Sequence, residues 1–246
     1  FLLLLLGACE PAPPRTPPRP AETRARFPAA DRPVATIVSA RWSTEEARDR
    51  LREAETVMDR AGIASGMTVA DIGAGEGYYT MRLAERVGPD GRVLAEDIMP
   101  AYIDRLAQRV GRERLDNVSV RLGEANDAEL PANSFDRVLM IHMYHEIAAP
   151  YEFLWRLRPS LRAGGQVVVV DADRPTQNHG TPPALLRCEF AAVGYALVDI
   201  QPLRSAGGYL ARFRSEGARP EPGAIRACRS DASAAAAPAA TGHEAR

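Results

Sequence analysis

A glycine-rich turn at residues 73–77 is the segment of this sequence best suited to bind a small ligand. The apolar run Met67–Ile72 precedes it and a helical pattern, Tyr78–Val87, follows it. Glycines at 73, 75 and 77 permit a tight turn and let backbone amides approach a ligand closely. The third glycine follows the second by two residues instead of three, unlike the fingerprint that places a pyrophosphate at a helix N-terminus. Asp71 would offer negative charge to a cationic ligand.

Three of the four histidines fall in two loops that follow apolar runs. His142 and His145 come after Phe135–Ile141, and His179 comes after Gln166–Asp171. Ligands in open α/β sheets bind at the carboxyl ends of the strands, so we expect these histidines beside the glycine turn. An imidazole there could take a proton from a hydroxyl, phenol or enol nucleophile.

A metal is the alternative use of these side chains, because imidazole and carboxylate suit Zn, Fe or Mn. The residues that could gather around an ion are His142, His145, Asp173 and His179. Their spacing matches no known metal motif, so the sequence favours a site without metal.

The elements that must position these residues alternate in type. The predicted parallel strands are Met67–Ile72, Val93–Asp97, Val118–Leu122, Phe135–Ile141 and Gln166–Asp171. Helical patterns separate them, which predicts a parallel sheet with helices on both faces. The late strands Tyr195–Ile200 and Gly208–Phe213 have no helix between them and should pair antiparallel. A capping box with Ser43 as its N-cap predicts one more helix, which ends at Gly62.

Several segments resemble class I S-adenosylmethionine (SAM)-dependent methyltransferases. Val69–Thr80 resembles motif I, Val93–Asp97 resembles the second strand with its terminal acid, and Leu122–Ala125 resembles the adenine-contacting segment. Asn133–Leu139 is similar to the fourth strand and Leu157–Gly165 to the turn before the fifth. The resemblance implies a Rossmann-like sheet of seven strands, mostly parallel, with an antiparallel C-terminal strand.

The resemblance also implies that the domain binds SAM and transfers its methyl group. Asp97 would accept hydrogen bonds from both ribose hydroxyls, Glu124 would meet the adenine amino group, and Glu96 should point to the other side of its strand. The implied cofactor residues are Asp71, Gly73, Ala74, Gly75, Gly77, Asp97, Ile98, Glu124, Ala125 and His142.

On the acceptor side, His145 aligns with a histidine-bearing position of small-molecule methyltransferases. We therefore expect His145 to act as the base, Glu146 to orient it, and Tyr144 to hydrogen-bond the substrate or to pack. Only the helix after Ser43 and the loop 174–183 could cover the cleft, and so small a lid favours a small-molecule acceptor.

Two other functions stay open. A SAM-fold protein without catalysis could serve as a binding protein or sensor at the cell envelope, and a nicotinamide-dependent oxidoreductase would share the layered fold, although the glycine spacing disfavours it. The net charge is -1, and no basic stripe with interleaved aromatic residues is present, so we expect no nucleic-acid partner. The sequence does not indicate the oligomeric state.

The two ends differ from the domain. Residues 1–9, Phe1 to Cys9, resemble a secretory signal with a bacterial lipobox, which implies lipid attachment at Cys9 and a membrane-anchored protein on the periplasmic side; a cytoplasmic protein is the alternative. Residues 10–30 read as a proline-rich linker, 31–216 as the domain, and 217–246 as a disordered tail. We expect Cys188 to be an inert buried thiol and Cys228 to lie in that tail.

Overall fold

The alternation of apolar runs and helical patterns produces a seven-stranded sheet. The computed structural model describes residues 27–37 and 44–229. Its strands are β1 Thr68–Ile72, β2 Arg92–Asp97, β3 Val118–Leu122, β4 Phe135–Ile141, β5 Leu161–Asp171, β6 Tyr195–Leu203 and β7 Gly208–Ser215. Their order across the sheet is β3-β2-β1-β4-β5-β7-β6. Strands β1 to β5 pair parallel, and β7 runs antiparallel to both of its neighbours. The predicted fold class is confirmed.

Helices cover both faces because alternate strand residues point to opposite sides. The helices are α1 Glu45–Arg50, α2 Glu53–Ala61, α3 Tyr78–Val87, α4 Pro100–Glu113, α5 Pro150–Leu157 and α6 Pro183–Ala192. In β5, Val167 and Val169 belong to the buried cluster that includes α5 and α6. Val168 and Val170 belong to the cluster that includes α2 and α3. The run of valines is therefore a central strand buried on both sides.

The helix predicted after Ser43 is divided into α1 and α2. Arg52 adopts a left-handed backbone conformation, with φ of 52°, and breaks the helix between them. The N-cap of α1 is Thr44, whose hydroxyl accepts a hydrogen bond from the Ala47 N–H at 3.3 Å, whereas Ser43 lies outside the described residues. The predicted end of the helical pattern is confirmed, since Gly62 caps α2 in the left-handed region.

The segment after β7 stays packed on the domain. Cys188 of α6 and Cys228 form a disulfide, so the expectation of an inert thiol at Cys188 is wrong. Ile225 is buried, the Trp155 indole N–H donates to the Pro220 carbonyl at 2.8 Å, and residue 229 forms a backbone bridge with residue 31. The predicted boundary at 216 is therefore too early. An extended segment can pack without any periodic pattern, and that is why composition alone suggested a loose tail.

Most of the predictions for the two ends of the chain concern residues that the structure does not describe. The signal-like segment 1–9, Cys9, most of the linker 10–30 and residues 230–246 are not described. Among the described residues, no helix combines the length and the apolar character that crossing a bilayer requires. Phe27, at the end of the predicted linker, packs edge-on against Trp155 with ring centroids 5.5 Å apart.

Candidate functional site

A cleft of about 840 Å³ opens at the carboxyl ends of β1 to β5. Strands β1 and β4 are adjacent at the centre of the sheet, where the strand order reverses and where ligands of such sheets bind. The expected cofactor residues that line this cleft are Asp71, Gly73, Ala74, Gly75, Asp97, Ile98, Glu124, Ala125 and His142. The topology thus brings together residues at the ends of four strands that lie far apart in the sequence.

Asp97 fixes one wall of the cleft. Its carboxylate accepts hydrogen bonds from the Gly75 N–H at 2.9 Å and from the Met99 N–H at 2.8 Å. These two bonds tie the glycine turn to the loop after β2, while burial raises the pKa of the Asp97 carboxyl. Each carboxylate oxygen keeps a further lone pair, so Asp97 can still accept two hydroxyl groups of a ligand.

The glycines of the turn serve different purposes. Gly75 has φ of 56°, and a Cβ there would meet nothing within 4 Å, which leaves its backbone open to the cleft. A Cβ at Gly77 would lie 2.4 Å from a methyl carbon of Leu106 in α4. Gly77 is not among the cleft residues, so its expected cofactor contact stays a prediction without support from the geometry. Both its left-handed backbone, with φ of 89°, and the packing of α4 against the turn favour glycine at this position.

Asp71 is completely buried beneath the turn. Its carboxylate accepts a hydrogen bond from the Thr80 hydroxyl at 2.7 Å, which joins the end of β1 to the first turn of α3. Burial raises the pKa of Asp71 to about 6. The carboxyl therefore holds the turn together, and as a cleft residue it places negative charge where a cationic ligand would stabilise it.

Glu96 is a second buried acid that also lines the cleft. It is 1% exposed, and its carboxylate occupies the space over Gly123, where a Cβ would lie 1.8 Å from Oε1. Within the described chain, this Oε1 atom has no hydrogen-bond partner. Burial, together with the charge of Asp97, raises the pKa of Glu96 to about 8. At neutral pH this carboxyl is therefore mostly protonated.

The raised pKa of Glu96 predicts a pH-dependent stability. Between pH 4.5 and about 8 the folded chain holds a proton on Glu96 that the unfolded chain releases, so the unfolding free energy falls as pH rises through this window. Asp71 has the same sign but titrates only up to about pH 6. The unfolding free energy, measured by chemical denaturation between pH 6 and 8, should therefore depend less steeply on pH in Glu96→Gln than in the wild type. The two slopes should differ by at most about 1.4 kcal/mol per pH unit. Parallel curves would contradict this assignment.

His145 and Asp171 form a buried pair on the opposite wall. The His145 Nδ1 atom lies 3.0 and 3.1 Å from the two carboxylate oxygens of Asp171. That carboxylate also accepts the Thr181 hydroxyl at 2.8 Å and the Ala172 N–H at 2.9 Å. Because Asp171 accepts at Nδ1, that nitrogen carries a proton, and in the neutral imidazole Nε2 is the atom with the lone pair.

The residue that orients His145 is therefore Asp171, and the expectation for Glu146 is wrong in that respect. The Glu146 Oε1 atom lies 4.0 Å from the His145 Nε2 atom, on the side of the ring away from Asp171. His145 and Glu146 both line the cleft. Asp171 was recognisable as the acid that ends the fifth strand, but its pairing with His145 depends on the register of β4 and β5.

Tyr144 lies outside the cleft, so its expected contact with substrate is wrong. It is fully buried and its hydroxyl donates to Glu189 Oε2 at 2.7 Å. Arg32 Nε donates to Glu189 Oε1 at 2.9 Å. The short 3₁₀ turn Tyr144–Glu146 directs the side chains of Tyr144 and His145 apart, so Tyr144 packs, as the alternative interpretation held.

His142 faces an acid that sequence reasoning missed. Its Nε2 atom lies 3.7 Å from Glu53 Oε1, and its backbone adopts the left-handed region with φ of 57°. Glu53 also accepts from Arg48 at 2.6 Å and from the Tyr79 hydroxyl at 2.9 Å. Burial opposes ionisation of Glu53, but the nearby imidazole of His142 and the hydrogen-bonded guanidinium of Arg48 bring its pKa down to about 2. Helix α2 thereby places a permanent negative charge at the cleft.

Comparisons with known proteins agree with this geometry. Residues 63–200 match the family described as "Methyltransferase domain". An arsenite methyltransferase of Halobacterium salinarum is 30% identical over 139 residues, which cover 54% of this chain and 35% of that protein. A ubiquinone/menaquinone biosynthesis C-methyltransferase of Hahella chejuensis is 30% identical over 125 residues, 48% of each protein.

A solved structure shows the same fold. A SAM-dependent methyltransferase from Aquifex aeolicus superposes with a TM-score of 0.59 at 23% identity, over 70% of this chain and 97% of that one. The match with the two sequence relatives spans 35% and 48% of their lengths. The family match extends from the residue after Gly62 to the end of the sixth predicted strand and contains the glycine turn, Asp97 and the His145–Asp171 pair. This chain belongs to the methyltransferase-domain family.

Proposed function

We propose that this protein is a SAM-dependent methyltransferase that acts on a small-molecule acceptor. The observation that carries the proposal is the arrangement of the cleft, with the glycine turn and Asp97 on one wall and the His145–Asp171 pair on the other. The first wall binds an adenosyl group and the second activates a nucleophile. The reaction breaks the bond between the sulfonium and its methyl carbon, and the acceptor forms the new bond to that carbon.

SAM suits the charge and shape of the first wall. Asp97 accepts the ribose hydroxyls, and Ile98 and Ala125, which line the same cleft, can contact the adenine ring. Asp71 and Glu53 provide negative charge for the ammonium and sulfonium groups. A phosphate would gain nothing from these carboxylates, and this argues against a nicotinamide cofactor.

The second wall needs only to position and activate the acceptor, because the sulfonium is already a reactive methyl donor. The lone pair of His145 Nε2 is the activating group, and Asp171 keeps it available. Apolar side chains also line the cleft, among them Ile37, Ile147 and Phe153. Such a lining excludes water and favours a small acceptor with apolar surface.

Asp97→Ala tests the first wall. We expect SAM affinity to fall by about 1–3 kcal/mol, since the ribose loses its buried acceptor. Isothermal titration calorimetry measures this, and Glu96→Gln is the matched control, because the amide resembles the protonated carboxyl that Glu96 already has at neutral pH. Equal SAM affinity in Asp97→Ala and the wild type would contradict the assignment.

Methyl transfer itself is tested with methyl-labelled SAM and a panel of candidate acceptors. Transfer to any of them supports the proposal and removes the alternative of a SAM-binding sensor. Binding of SAM without transfer across the panel would favour that alternative, and binding of NAD in place of SAM would overturn the proposal.

We further propose that the domain is attached to a membrane on the periplasmic side through Cys9. The lipobox-like segment supports this, and so does the Cys188–Cys228 disulfide, because structural disulfides persist in oxidising compartments. Membrane fractionation with mass spectrometry of the N-terminal peptide is the test. Recovery of the protein in the cytosol with both thiols reduced would overturn it.

A further inference from the structure

Two imidazoles and a carboxylate meet at the acceptor end of the cleft. One nitrogen each from His145 and His179 and one oxygen from Glu146 lie within 4.8 Å of one another. The two imidazole rings are 5.5 Å apart at their centroids and nearly perpendicular, at 83°. Three side chains from the loops after β4 and β5 therefore converge on one point of the cleft wall.

We propose that His145, His179 and Glu146 bind one divalent first-row transition ion. Two imidazoles and one carboxylate form a donor set that suits Zn²⁺, Fe²⁺ or Mn²⁺. Three protein ligands leave at least one coordination position free, as in catalytic sites. The sequence favoured a site without metal, and the alternative group it offered contained His142 and Asp173. Asp173 is exposed, and the converging group contains Glu146 instead of these two residues.

The donor atoms of His145 and Glu146 lie close enough together to bind the same cation. Asp171 accepts at Nδ1, so the Nε2 lone pair of His145 points to the side where Glu146 Oε1 lies 4.0 Å away. Two metal–ligand bonds of about 2.1 Å can span up to about 4.2 Å, so one ion can reach both atoms.

The surroundings of His145 are those of a metal-ligating histidine. Metal-bound imidazoles commonly donate their second N–H to a carboxylate, which fixes the ring and raises its basicity. Asp171 has this role and is itself held by Thr181 and the Ala172 N–H. His179 ends a short 3₁₀ turn with φ of 57°, and one of its ring nitrogens lies within 4.8 Å of the donor atoms of His145 and Glu146.

This inference rests on the proposed function only in placing the ion beside the methyl donor. An ion at this point would lower the pKa of an acceptor hydroxyl or thiol. The acceptor's proton then passes to solvent water, and its anion takes the methyl group from the sulfonium. His145 would in that case activate the acceptor as a ligand of the ion instead of as a base.

Cobalt binding tests the proposal without any acceptor. The untagged protein is treated with a chelator, dialysed, and titrated with Co²⁺ while its visible absorption is recorded, and Zn²⁺ is then added in competition. We expect one Co²⁺ per chain, displaced by Zn²⁺. His179→Ala and Glu146→Gln should each weaken binding by at least about tenfold, since even loss of a hydrogen-bond partner of a ligand costs about 10- to 100-fold. His142→Ala, a change at another cleft histidine, should leave the affinity unchanged.

The outcomes separate this proposal from the proposed function. Absence of a Co²⁺ spectrum, or equal Co²⁺ affinity in the wild type and both ligand variants, overturns the metal site. Methyl transfer at full rate by the chelator-treated protein overturns the role of the ion in activating the acceptor and leaves the methyltransferase proposal intact. Metal binding that is lost in both ligand variants, in a protein with no affinity for SAM, would support the metal site and overturn the proposed function.

Discussion

His145→Ala is expected to lower kcat about 10²- to 10⁴-fold while SAM affinity changes by less than about threefold, because the imidazole acts on the acceptor and not on the cofactor. The imidazole is buried against Asp171 on the second wall of the cleft, here called the acceptor wall. The hydrogen bonds that shape the first wall, here called the cofactor wall, belong to Asp97 and the glycine turn. Steady-state kinetics with an acceptor from the labelled-SAM panel, together with calorimetry for SAM, measure the two effects separately.

The same measurements test whether Asp171 positions the His145 imidazole for catalysis or has only a structural role. Asp171→Asn keeps the size of the side chain but allows the amide to donate to Nδ1, which moves the imidazole proton to Nε2 and occupies the lone pair. We expect kcat to fall as in His145→Ala, with an altered pH profile and an unchanged KM for SAM. Asp173→Asn is the matched control, since Asp173 is exposed in the same loop and should leave kcat unchanged. A normal kcat in Asp171→Asn would show that the pair is only structural.

The cofactor wall could be predicted from the sequence because each of its parts has a signature in its own stretch of the sequence. The turn 73–77 carries its own conformational signature in its glycines, and Asp97 is recognisable as the acid that ends a strand. Strand alternation and topology then place both at one edge of the sheet. Gly77 is the exception. Its lack of a side chain serves the close packing of Leu106, a long-range contact that a turn motif cannot distinguish from a ligand contact.

The acceptor wall could be predicted only in part, because its pairings are made across the fold. His145 was found through its position after β4, but its partner Asp171 comes from β5 and lies 26 residues away. Glu53 reaches the cleft from α2, which precedes the first strand. Nothing in the sequence around Glu53 indicates its place at the cleft, and nothing around Asp171 indicates that it pairs with His145. The Cys188–Cys228 disulfide, 40 residues apart, depends in the same way on a segment whose composition suggested no packing.

Tyr144 shows why proximity in sequence misleads at a short turn. It precedes His145 directly, yet it lies on the other side of the chain and belongs to a buried network with Glu189 and Arg32. The Arg32 guanidinium also donates to the carbonyl oxygens of Tyr144, His145 and Ile147. Arg32 thereby holds the backbone that carries the histidine, and Glu189 provides its counter-charge.

Glu189→Gln should therefore lower the unfolding free energy by about 3–5 kcal/mol, because it leaves the Arg32 guanidinium buried without a counter-charge. The side chains of Arg32 and Glu189 are 0% and 1% exposed, so solvent cannot replace the lost partner. Urea denaturation measures the loss. Glu152→Gln is the matched control, since its pair with Arg156 is partly exposed and should cost less than about 1 kcal/mol.

Tyr144→Phe completes the test by removing one hydrogen bond and no charge. Its loss should be intermediate, about 1.5–3 kcal/mol, because the hydroxyl donates to an ionised carboxylate. The folded Tyr144→Phe protein should keep the wild-type kcat, since this hydroxyl is fully buried and lies outside the cleft. A large fall in kcat with normal stability would show that Tyr144 contributes to catalysis after all. Equal losses of unfolding free energy in Glu189→Gln and Glu152→Gln would show that the Arg32–Glu189 pair does not stabilise the segment that carries His145.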